Sequence, residues 1–187
     1  MQYIEQILFV AILAVAIYFF TQKVKQIRRN ILIGKDQIIN DNKPARWMMM
    51  AKVALGQSKM VVRPVAGFFH ILIYLGFVLI NIEVLEILMD GIFGTHRVLS
   101  FMGPVYDAAI GFFEILAVLV LVSCLVFLGR RFVVHIPRFH SPEMKGWATK
   151  DATYILVIEI VLMGALLKMN AVDQVLQSKG ADHYVAA

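Results

Sequence analysis

Four apolar stretches punctuate this chain, near Ile4 to Phe20, Ala66 to Met89, Pro104 to Leu128 and Thr153 to Met169. Each approaches or exceeds the roughly 20 residues that cross a bilayer as helix. Lys168 sits at the end of the fourth, and the amphipathic run Asn170 to Leu176 would carry that helix beyond the hydrocarbon. Hydrophobic residues make up 60% of the 187 positions and charged residues 17%, too apolar a balance for a soluble domain of this length. The expected fold is all-α, an integral membrane helical bundle of four transmembrane helices with residues 1–187 as a single membrane domain.

The charges set the expected topology. Ten of the 18 Lys and Arg residues lie from Lys23 to Arg63, between spans one and two, and five lie from Arg130 to Lys150, between spans three and four. The positive-inside rule places both segments in the cytoplasm and both termini outside, as expected for a multi-pass protein of a bacterial inner membrane. The same segments account for the net charge of +5, which reads as topology and contact with membrane lipid; no nucleic acid is needed to explain it. The first span has no basic residue ahead of it and no cleavage pattern after it, so it is expected to remain as an anchor.

The first basic segment has internal structure. Gln22 to Asn30 continues the first helix into the headgroup layer, and Asp41-Asn42-Lys43-Pro44 reads as a helix start with Pro44 in its first turn. The helix that follows, Ala45 to Leu55 closed by Gly56, carries Trp47, three successive methionines and the cations Arg46 and Lys52. It reads as an interfacial amphipathic helix lying on the membrane or against a partner protein. Its methionines favour flexible apolar packing over a soft-metal site.

His70 is the only histidine inside an expected span, four residues into the second. A neutral imidazole among apolar side chains needs a partner for its ring nitrogens. A haem iron is one, and a hydrogen bond to a neighbouring helix is the plainer alternative. Gly67 and Gly76 flank it and would give low relief for a flat macrocycle, while Arg63, about two turns earlier, and Lys59 would meet haem propionates or serve only as positive-inside residues.

Carboxylates inside spans are costly and point to a bundle interior, an ion path or a ligand pocket such as one for quinone. Glu83 and Glu86 share a face of span two at i and i+3, Glu114 lies near the middle of span three, and Glu159 lies in the inner half of span four. Glu83 and Glu86, with His96 in the loop beyond them, could take protons from a quinol and release them outside. In the alternative, Glu86 hydrates at the interface while Glu83 and Glu114 bond between helices. His135, His140 and His183 fall in polar segments, where a solvated imidazole is the default. The single cysteine, Cys124, excludes a disulfide within the chain and an iron-sulfur or zinc site of the multi-cysteine kind.

Arg63, His70 seven residues on, and then Gly76-Phe77, in a second span behind a basic segment, resemble the haem b membrane subunits related to the nitrate reductase gamma chain. The pattern is more similar to the membrane part of fused iron-sulfur oxidoreductases of the heterodisulfide reductase type, a group that Gly56-Gln57-Ser58-Lys59-Met60, Asn81-Ile82-Glu83-Val84-Leu85-Glu86 and Gly91-Ile92-Phe93-Gly94-Thr95-His96-Arg97 also resemble. The resemblance implies a haem b held by His70 on the cytoplasmic side, passing electrons between menaquinone and an iron-sulfur protein subunit. Relatives with two haems carry a histidine ten residues further along this span, where Ile80 stands here, so at most one haem is expected on this helix. They draw the opposite axial ligand from a fifth span. The chain is therefore expected to be the first part of a longer polypeptide; otherwise a second subunit supplies that ligand, or no six-coordinate haem forms. A non-catalytic membrane anchor or assembly subunit is the alternative function, and a proton channel using Glu83, Glu114 and Glu159 is disfavoured because no span repeats a polar face.

Overall fold

A computed structural model describes residues 2–35, 41–60, 62–134, 136 and 146–180. His135, His140 and His183 lie outside the described residues. In order, the elements are α1 (Gln2–Leu32), α2 (Lys43–Met50) running into a π-helical turn (Ala51–Leu55), α3 (Pro64–Phe93), a 3-10 turn (Val98–Met102), α4 (Pro104–Phe132) and α5 (Trp147–Ser178). No strand occurs among the described residues. Four helices are long and apolar enough to cross a membrane, over Tyr3–Leu32, Pro64–Phe93, Pro104–Phe132 and Lys150–Ser178. The all-α, four-span expectation therefore holds. Each helix outruns its apolar stretch because polar flanks continue the turn into water or headgroups; Lys168 does not break α5.

The chain divides into two compact units, one of Met1–Ser58 with Ile87–Val98, the other of Lys59–Glu86 with Leu99–Ala187. In the first unit, the end of α3 lies against α1: the Gln6 side-chain amide donates to the Ile92 carbonyl, and the Phe9 ring occupies the space where Gly91 lacks a Cβ. Asn42 caps α2, its Oδ1 accepting from the Ala45 amide at 3.3 Å, with a proline in the first turn as the sequence indicates. The final turn widens to π geometry, the Gly56 amide donating to the Ala51 carbonyl at 2.8 Å. Trp47, Met48 and Met49 are exposed.

The second unit is a three-helix bundle. Its core is a seam of small and medium side chains: Ile80 from α3, Phe113, Leu116, Ala117, Val120 and Cys124 from α4, and Met163 and Leu166 from α5. Phe68, Phe77, Ile115 and Val161 point away from it and are exposed, as side chains facing lipid would be. In lipid, tight packing rather than water exclusion holds helices together, so small residues mark the closest approaches. Gly76 is one. A Cβ there would run into the Val120 side chain, so α3 and α4 meet closely at this point. Gly76→Leu is accordingly expected to overpack the seam and lower stability by about 1–3 kcal/mol, read as a fall in the unfolding midpoint in detergent; an unchanged midpoint would contradict this packing.

Candidate functional site

Polar side chains gather at one end of the three-helix bundle. Glu83 and Glu86, one turn apart on α3, are each only 1% exposed, and α5 contributes Asn170 at 1% and Asp173 at 6%. The Asn170 amide nitrogen donates to Glu83 Oε1 at 2.9 Å, tying α5 to α3. Both carboxylate oxygens of Glu86 are engaged: Oε1 accepts from the Leu99 backbone amide at 2.9 Å, and Oε2 accepts from the Tyr106 hydroxyl at 2.8 Å. Glu86 therefore does not hydrate at an interface. It braces the 3-10 turn and the start of α4 against α3. Asp173 accepts from the Gln177 side-chain amide at 3.3 Å, one turn further towards the exposed end of α5.

The sequence reading found the two glutamates but not Asn170, Asp173 or Tyr106. A signal was present, because Asn170 and Asp173 repeat on α5 the i, i+3 spacing of Glu83 and Glu86 on α3. Read as the polar flank of an amphipathic extension, that pair was assigned to water. In the bundle it faces inward, at the same 3–4 spacing as Met163 and Leu166 earlier in the helix.

His96 belongs to the first unit, in the loop that closes α3, and its side chain is exposed. Asp90 shapes that loop. Its Oδ1 accepts from the Thr95 hydroxyl at 2.7 Å and the Val98 amide at 3.2 Å, and its Oδ2 accepts from the Arg97 amide at 2.8 Å. Gly94 (φ 68°) and Arg97 (φ 52°) both take left-handed backbone, which costs an arginine but not a glycine. The three Asp90 bonds hold Arg97 in that conformation. Asp90→Ala should release the turn, seen as faster amide hydrogen exchange over residues 94–98; exchange at the parent rate would mean that the loop is held by something else.

His70 is half-buried on α3, and beside it Phe69 meets Phe127 of α4 edge-on, centroids 6.4 Å apart. Among the described residues, the His70 ring has no hydrogen-bond partner. Lys59 and Arg63, just before α3, are exposed. Gly67 is buried, but Gly76 is taken up by Val120, so the flat relief expected on both sides of His70 is absent on the Gly76 side. Ile80 is core. Glu114 and Glu159 are half-buried and accept no hydrogen bond from the described residues. The described residues also bring no three His, Cys, Asp or Glu side chains together as a metal site.

No protein-family model matches this chain, and no solved structure does. The chain is 29% identical over 136 residues to FadF of Bacillus subtilis (strain 168), a protein named as a probable iron-sulfur-binding oxidoreductase. The match covers 71% of this chain and 18% of FadF, so the chain spans less than a fifth of that relative's length. An all-helical chain with four membrane-length apolar helices is thus a distant homologue of part of a protein named as a probable iron-sulfur-binding oxidoreductase.

Proposed function

We propose that this chain is the membrane part of an oxidoreductase that transfers electrons between the quinone pool, menaquinone in the first instance, and an iron-sulfur protein subunit, with a haem b held by His70. The observation that carries the reading is His70 itself, a half-buried imidazole on an apolar helix with no hydrogen-bond partner among the described residues, in a chain similar to an iron-sulfur oxidoreductase. Such a nitrogen is free to coordinate iron. His70 would hold the group through a ring nitrogen. Lys59 and Arg63, exposed at the same end of α3, suit the two propionates. When bound, the haem would supply a one-electron redox centre within the span.

Quinol oxidation releases two electrons and two protons, and the protons need acceptors inside the membrane. Glu83 fits this task, buried at 1% exposure and accepting a hydrogen bond from the neutral amide of Asn170. Glu86, with both oxygens occupied by donors, holds the start of α4 against the helix that carries Glu83. His96, exposed in the loop after α3, is the group proposed to pass protons to the outside medium. The distribution of Lys and Arg supports a bacterial inner-membrane setting with the N-terminus outside. Iron-sulfur clusters belong to the partner or to a further part of the polypeptide.

The interhelical bonds of Glu83 and Glu86 favour a second reading, a membrane anchor or assembly subunit in which these carboxylates only clasp helices. Glu83→Gln separates the two, because glutamine can keep the bond to Asn170 but cannot carry the proton. Oxidation of a menaquinol analogue by membranes containing the protein is expected to fall by about 100-fold in Glu83→Gln with assembly intact. Unchanged turnover would remove Glu83 from the chemistry, and a parent with no quinol-linked turnover would favour the anchor.

A further inference from the structure

Asn170 is as deeply buried as the glutamate it touches, and a primary amide at that depth is retained only where its polar atoms are engaged. Its Nδ2 donates to Glu83 Oε1 at 2.9 Å across the α3–α5 contact, between residues 87 apart in sequence. A glutamate side chain has three rotatable bonds and two equivalent oxygens. One directed N–H removes that equivalence, because Oε1 becomes the accepting oxygen and a proton on the carboxyl belongs on Oε2.

The other buried carboxylates at this end of the bundle are Glu86 on the same helix and Asp173 on α5. Both have other anchors: Glu86 accepts from Leu99 and Tyr106, and Asp173 accepts from Gln177. We propose that Asn170 is a positioning residue for Glu83, fixing the carboxyl so that Oε2 is the oxygen that takes up and gives back a proton. The assignment rests on the reading of Glu83 as the group that handles quinol protons.

The infrared spectrum of the purified protein in water and heavy water tests it, because the carbonyl stretch of a protonated carboxyl reports directly on hydrogen bonds to that oxygen. Glu83→Gln identifies the band by removing it. Asn170→Leu, branched like asparagine but without a donor, is expected to move the Glu83 band to higher frequency, and Asn170→Gln, which keeps a donor, to leave it nearer the parent. Asn170→Ala serves as a second donor-free variant should leucine impair assembly. In parallel, menaquinol-analogue oxidation is expected to fall about ten-fold in the donor-free variants and to recover in part with glutamine.

A Glu83 band that stays in place in both donor-free variants overturns the positioning role, because it means that Asn170 does not bond the carbonyl oxygen of that carboxyl. A band that moves with turnover unchanged overturns it too, because a purely structural asparagine predicts that result. So does a parent spectrum from which Glu83→Gln removes no band. A band that moves as expected in a protein whose parent oxidises no quinol leaves Asn170 positioning Glu83 and overturns only the quinol reading.

Discussion

Glu86→Ala is expected to destabilise the three-helix bundle by about 2–4 kcal/mol, because it strips the acceptor from two donors at once. The Leu99 amide lies in the 3-10 turn Val98–Met102, where the opening N–H groups have no partner within the turn, and Glu86 Oε1 supplies one. The Tyr106 hydroxyl, in the first turn of α4, loses Oε2. A buried donor left without an acceptor costs about 1–3 kcal/mol, and both donors here are only part-buried, which holds the sum below its ceiling. Tyr106→Phe removes a donor rather than orphaning one and should cost about 1 kcal/mol. Glu86→Gln keeps one accepting oxygen and should fall between. The unfolding midpoint in detergent checks the order, alanine lowest, glutamine next and phenylalanine nearest the parent. A shift within about 0.5 kcal/mol for Glu86→Ala would mean that Leu99 and Tyr106 have replacement acceptors.

The helices were legible in the sequence because membrane spans are written in composition. Continuous apolar runs place α1, α3, α4 and α5 whatever their tertiary partners, and Asn42 with Pro44 places α2 through local capping chemistry. Which way each polar residue inside a span turns was less legible, since in lipid an apolar surface does not reveal the inward face. Glu83 and Glu86 stood out because charge is rare at such depth. Asn170 and Asp173, close to the end of a long helix, looked equally compatible with water, and only the parallel placement of α5 beside α3 assigns them to the interior. Gly76 was misread for a related reason. A glycine's missing side chain leaves room equally for a cofactor or for a neighbouring helix, and here Val120 takes the room.

On the proposed reading His70→Ala carries the largest functional effect, because His70 is the one histidine within the described spans and alanine has no nitrogen to put in its place. The side chain is half-buried, and no hydrogen bond to the described residues is lost with it, so the fold should tolerate the change within about 1–2 kcal/mol while the proposed haem is lost. Loss of colour with retention of the folded bundle is the combination expected of a ligand. Loss of both together would instead mark a residue needed for packing, as its neighbour Phe69 is against Phe127.

The most direct test of the account is a dithionite-reduced minus oxidised visible spectrum of the purified full-length protein, with His70→Ala prepared beside it. A b-type absorbance band in the parent that is missing from the folded variant is the predicted result. A flat spectrum from the folded parent, or a band that survives in His70→Ala, would contradict it.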